Sequence, residues 1–201
     1  MKDTNIQKEL KIAGYAGIVN LALMIPILAM SFMRIMGSFS NPVIIAYIIS
    51  SIITIMVAIL FFRGFILIGE KLQNQFLVKS SYIIVITTII FCIYDMLSLG
   101  FPFIESELIA IVILFLMGII NIFFGIGIYK LKDKFGNIAI AAGILEIIMG
   151  IMYSSILLVF IAIILTIPVV ILEIIILFRA ADKFAEKKPK KETSKVNQES
   201  K

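Results

Sequence analysis

Glu146 stands in the middle of AAGILEIIMG, residues 141 to 150, and Glu173 in the middle of PVVILEIIIL, residues 168 to 177. An acid at the centre of such an apolar run costs about 3 kcal/mol on insertion scales, so each carboxyl demands a reason. The chemistry open to them is capture of a proton or a cation. The side-chain amides of Asn20 and Asn121, also set in apolar runs, are further oxygen donors for such a polar cavity. A static role fits the same residues: a protonated Glu146, hydrogen-bonded to an amide or a carbonyl, holds helices in register. Glu173 has a further outlet, interfacial water or Arg179 six positions on.

The remaining residues narrow the chemistry. The chain has no histidine and one cysteine, Cys92, which excludes His-based metal centres, His-dependent catalysis and an intramolecular disulfide. Cys92 reads as a small buried apolar group. No HExxH, GxSxG or phosphate-loop string occurs. The pairs Ser50-Ser51, Ser80-Ser81 and Ser154-Ser155 have no base beside them. The expectation is therefore a non-enzymatic protein with no catalytic residue, no metal centre and no cofactor.

The elements that must hold these groups are membrane helices. Of the 201 residues, 61% are apolar and 15% charged, and mean hydropathy is +1.12; a soluble domain is roughly half apolar and a quarter charged. Backbone in hydrocarbon must satisfy its own hydrogen bonds, and no alternating pattern of barrel strands is present, so the fold class is all-α. At about 20 residues per span, six transmembrane helices are predicted, over 12–35, 42–63, 81–99, 104–128, 137–153 and 156–178. Residues 138–178 form one nearly unbroken apolar run. As a single helix it would be about 60 Å long, twice the hydrocarbon core. It must fold back, either at Tyr153-Ser154-Ser155 or as a shorter re-entrant segment. The first span is longer than a signal core and contains Pro26, so it is expected to be retained.

Charge fixes the expected orientation. Of the 18 Lys and Arg residues, all but Arg34 fall before the first span, between spans two and three, between four and five, or after the sixth. By the positive-inside rule both termini are cytoplasmic, in a prokaryotic cytoplasmic membrane. The organisation that follows is an N-terminal cytoplasmic segment 1–11, a transmembrane domain 12–182 and a disordered basic tail 183–201. The tail lysines Lys187, Lys188, Lys190 and Lys191 suit contact with anionic lipid. Nucleic acid is not an expected partner, because no folded module presents the charge. On the opposite side, Arg34 and Asp95 read as an interfacial pair, and Glu105 and Glu107 as solvated loop acids.

Three segments align: KIAGYAGIVNLAL from Lys11, FLVKSSYIIVITT from Phe76 and NIAIAAGILEIIM from Asn137. The even spans also end alike, in FFRGFILIGEKL, FFGIGIYKLKDKF and LFRAADKFAEK. The reading is three tandem helical hairpins, with Asn20 at the position equivalent to Glu146; chance similarity of Ile-rich helices is the alternative. Ala13 with Gly17, and Ala139 with Gly143, are small-xxx-small pairs that let helix backbones approach. Gly143, Glu146 and Gly150 share one helical face, which points Glu146 into the bundle.

The stretches LKIAGYAGIVNLAL, GFILIGEKLQNQFLVKSSYII and KLKDKFGNIAIAAGILEIIMG resemble an uncharacterised family of small multi-pass membrane proteins of archaea and bacteria, a domain of unknown function. The resemblance covers most of residues 10–178. It implies a helical membrane fold in a prokaryote and supplies no activity. Glu146 departs from the purely apolar fifth helix of that family, so its role cannot be borrowed. The leading expectation is a structural or accessory membrane component, partnered by the bilayer and by a second copy or another membrane subunit. The rival is a small transporter or channel with Glu146 and Glu173 as ion or proton groups.

Overall fold

The computed structural model describes residues 3–38, 40–101, 106–155 and 158–185. They form α1 (Asp3–Ile35), α2 (Asn41–Lys71), α3 (Gln75–Gly100), α4 (Glu107–Tyr129), a one-turn α5 (Lys132–Phe135), α6 (Asn137–Ser154) and α7 (Val159–Ala185). Six of these are long and apolar enough to cross a membrane. The chain is an all-α, multi-pass membrane protein.

The long apolar run breaks at the predicted turn: α6 ends at Ser154 and α7 begins at Val159. At several ends the helices run beyond the predicted spans. Helix α1 begins at Asp3 and not at residue 12, α2 runs on past Arg63 to Lys71, and α3 begins at Gln75 and not at 81. Helix α7 continues to Ala185, so Lys183 and Phe184 belong to it and not to a tail. The reason is that hydrocarbon thickness limits the apolar length, not the helix. Beyond the predicted spans the same helices bury Ile6, Leu10, Ile68, Leu77 and Phe184 in one hydrophobic cluster. Residues 186–201, with the tail lysines, lie outside the described residues.

Each long helix packs on its neighbours in the chain, and α7 packs on α1 to close a ring. The contacts run antiparallel throughout. Gly17 of α1 lies against Phe61 of α2 and Ile174 of α7, and Gly64 of α2 against Ala13 and Leu177. Tyr47 meets Asp95 between α2 and α3, and Gly127 meets Leu77 between α3 and α4. The first and last helices therefore place the chain's ends on one side of the ring, the terminal side; the other is the distal side.

A tight turn on the terminal side joins α2 to α3. Gln73 takes a positive φ of 56°. Asn74 then caps α3 by accepting from the Leu77 N–H at 3.2 Å, and donates to the Gly127 carbonyl at 2.7 Å, which fastens the turn to α4. On this side Arg63 pairs with Glu9 at 3.1 Å, and the Lys183 ammonium reaches the Lys134 carbonyl at 2.6 Å. Packing is densest here. Phe61, Phe62, Phe65 and Phe124 stack edge-on across the ring, with Phe65 and Phe124 centroids 5.2 Å apart. In the distal half the inward positions Met24, Ile27, Met30 and Ser31 of α1 are only half-buried.

Candidate functional site

Glycine places the acidic pair. A Cβ on Gly143 would stand 2.7 Å from the Tyr129 nitrogen and 2.8 Å from the Gly125 carbonyl oxygen. One on Gly150 would stand 2.6 Å from the Gly118 oxygen. So α4 and α6 meet backbone to backbone, Gly118 facing Gly150 and Gly125 facing Gly143, which fixes the rotation of α6. Glu146, between the two contacts, is turned inward and is 3% exposed. The closest approach in the bundle thus lies between the second and third of the predicted hairpins.

The neighbouring face of α6 packs on α7. Tyr153 and Thr166 hydrogen-bond through their hydroxyls at 3.1 Å. Thr166 also donates to the Ala162 carbonyl at 3.0 Å and lies 3.3 Å from Met149 Sδ. In an antiparallel pair the same register sets Glu146 opposite Glu173, seven residues, or about 10 Å, nearer the terminal side. Glu173 is also 3% exposed. Glu146 Oε2 and Glu173 Oε1 are buried and have no hydrogen-bond partner among the described residues.

The other predicted donors are arranged unequally. Asn121 is buried three residues before Phe124 on the inner side of α4, level with the pair by the glycine register. Asn20 is only half-buried on α1. Neither amide hydrogen-bonds either carboxyl among the described residues. Arg179, the outlet expected for Glu173, is exposed on α7, while Glu173 faces inward. The helix-packing positions Ala13, Gly17, Ala139, Gly143 and Gly150 are all buried. Sequence reasoning missed their partners Gly118 and Gly125; the legible signal was a pair of glycines spaced as Gly143 and Gly150 are.

A second ionisable cluster occupies the distal side. Arg34 Nη1 lies 2.9 Å from Asp95 Oδ1, and Nη2 donates to Ser98 Oγ at 2.9 Å. The Tyr47 hydroxyl donates to Asp95 Oδ2, and Ser98 donates to the Asp95 carbonyl at 2.8 Å. The Arg34 and Asp95 pair was expected; Tyr47 and Ser98 were not. Of the other outer acids, Glu107 opens α4 and Glu105 lies outside the described residues.

The two clusters differ in what they can do. Asp95 is paired with Arg34 and hydrogen-bonded by Tyr47. Glu146 and Glu173 are opposed buried carboxyls, each with an oxygen lacking a hydrogen-bond partner among the described residues, with the Asn121 amide at the same level. No group of three or more His, Cys, Asp or Glu side chains suited to a metal ion occurs among the described residues. The chain matches no family model, no curated protein and no solved structure. The reading of the site rests on its geometry.

Proposed function

We propose that this is a small, non-enzymatic ion-handling protein of the cytoplasmic membrane, with both termini inside, whose Glu146 and Glu173 together bind one proton or one monovalent cation. One observation carries the reading: two opposed, buried carboxyls, each with an oxygen lacking a partner, and no lysine or arginine paired to either among the described residues. A purely structural glutamate needs a satisfied neutral carboxyl. A pair that can be satisfied only by something arriving from outside fits a binding site better.

The surroundings suit one-sided exchange. From the pair toward the distal side, the α6/α7 seam continues through Tyr153 and Thr166 into the loosely packed half. Toward the terminal side the stacked rings of Phe61, Phe62, Phe65 and Phe124 block the ring. A cation reaches the pair from the distal side, and passage across the membrane requires those rings to part. Among the described residues neither carboxyl has a salt bridge to Lys or Arg; near the pair α4 presents glycines to α6, and α1 presents Gly14 and Gly17 to Phe178 and Ile174 of α7.

The test is the melting temperature of the detergent-solubilised protein from about pH 5 to pH 9 and across a panel of monovalent and divalent chlorides at fixed pH. The expected result is a stabilising response of wild type to a pH step or to one monovalent cation, lost in both Glu146→Gln and Glu173→Gln. The fixed-pH panel separates metal cation from proton. If wild type and both variants melt alike under every condition, the pair is an element of packing and the accessory-component reading takes its place.

A further inference from the structure

A groove on the outer face of the bundle, between the terminal halves of α3 and α4, has the make-up of a phospholipid site. Phe76, Lys79, Ser80 and Ile83 recur at helical spacing along α3 and form one wall; Ile120 and Phe123 of α4 form the other. The hollow has a volume of about 280 Å³. Phe76, Ile83 and Phe123 are all about half exposed, at 47%, 48% and 49%, so the groove faces the surroundings of the ring and not its interior. Lys79 stands on the wall above the apolar floor, and the Lys130 ammonium sits 3.6 Å over the Phe76 ring at the mouth.

The mouth continues into a second hollow, more polar in lining than the first. The two share Gln75 and Phe76, and the second adds Asn74, Lys130, Asp133 and Lys134. An apolar slot lying along membrane-spanning helices therefore opens, at the terminal end, into a recess with an excess of ammonium groups. We infer that this double hollow binds one anionic phospholipid of the terminal-side leaflet, its phosphate between Lys79 and Lys130 and one acyl chain against Ile83, Ile120 and Phe123.

Two features select that occupant. A partner helix, about 10 Å across, does not enter a hollow of this size. A free phosphate would satisfy the lysines and leave the apolar floor uncovered, whereas a lipid satisfies both. The site is fixed in the folded domain and separate from the tail lysines. It does not depend on the acidic pair.

The experiment is native mass spectrometry of the full chain, delipidated in detergent and titrated with phosphatidylglycerol or phosphatidylcholine of identical acyl chains. Wild type is expected to prefer phosphatidylglycerol by about tenfold. The double substitution K79Q/K130Q is expected to remove most of that preference, and K79R/K130R to restore it, which separates loss of charge from loss of fold. Ile83→Trp, which fills the slot, is expected to weaken both lipids alike. Substituting the tail lysines, K187Q/K188Q/K190Q/K191Q, is expected to leave the preference in place. The inference is overturned if the preference survives K79Q/K130Q, disappears with the tail substitutions, or is abolished by millimolar inorganic phosphate.

Discussion

Asp95 at the distal end and Glu146 at mid-bundle are both acids enclosed by membrane helices, and their neighbours are opposite in kind. Around Asp95 the chain has assembled Arg34, Tyr47 and a serine bound to that arginine, Ser98. Around Glu146 it has assembled another carboxyl, and an oxygen of each is left without a partner among the described residues. The Asp95 cluster joins α1, α2 and α3 and is complete as it stands, so it reads as architecture. The Glu146 cluster joins α6 and α7 and, on the proposed reading, is completed by a bound proton or cation. Burial alone does not distinguish a structural acid from a functional one; the balance of its neighbours does.

That contrast can be broken from either side. Asp95→Ala is expected to have the largest effect, a loss of about 3 kcal/mol in unfolding free energy measured in mixed detergent. This is the low end for breaking a buried ion pair, because the Arg34 and Asp95 side chains retain 23% and 19% exposure. Gly143→Ala follows. Its Cβ meets backbone that cannot rotate away, so a cost of about 2 kcal/mol is expected. It should also alter the ion or pH response of melting proposed for the acidic pair while leaving the Asp95 cluster intact. Lost response to Asp95→Ala and unchanged response to Gly143→Ala would reverse the assignment of the two clusters.

Tyr153→Phe removes the hydroxyl that bonds Thr166 and is expected to cost about 1 kcal/mol, with slower proton or cation exchange at the pair as the sharper readout. Glu146→Gln should change stability least, by less than about 1 kcal/mol in the absence of stabilising ions, because it removes a group that lacks a full set of partners. Comparable losses for Glu146→Gln and Asp95→Ala would mean that both acids are architectural.

Much of this was legible in the residues. The break after Ser154 followed from an apolar run too long for one span. The Arg34 and Asp95 pair followed from a single basic residue on the acidic side. The inward direction of Glu146 followed from its glycine neighbours. Other features were not legible, each for a stated cause. Helix ends were placed short because hydropathy reports the lipid-embedded part, while Ile6, Leu10 and Phe184 extend the helices by packing outside it. Asn20 was grouped with the pair on repeat equivalence, yet its side chain is half-buried on α1 and bonds neither carboxyl.

Composition and the spacing of apolar runs by themselves determined that the chain forms six membrane-spanning helices, because hydrocarbon leaves a backbone no other way to close its hydrogen bonds. They also determined which residues are costly to bury. Only the tertiary structure decided that α7 closes on α1 and that four glycines bring α4 against α6. It alone set Glu146 opposite Glu173, residues far apart in the chain. Pairing across helices depends on rotation and register, which close packing of small residues sets and which no single helix encodes alone.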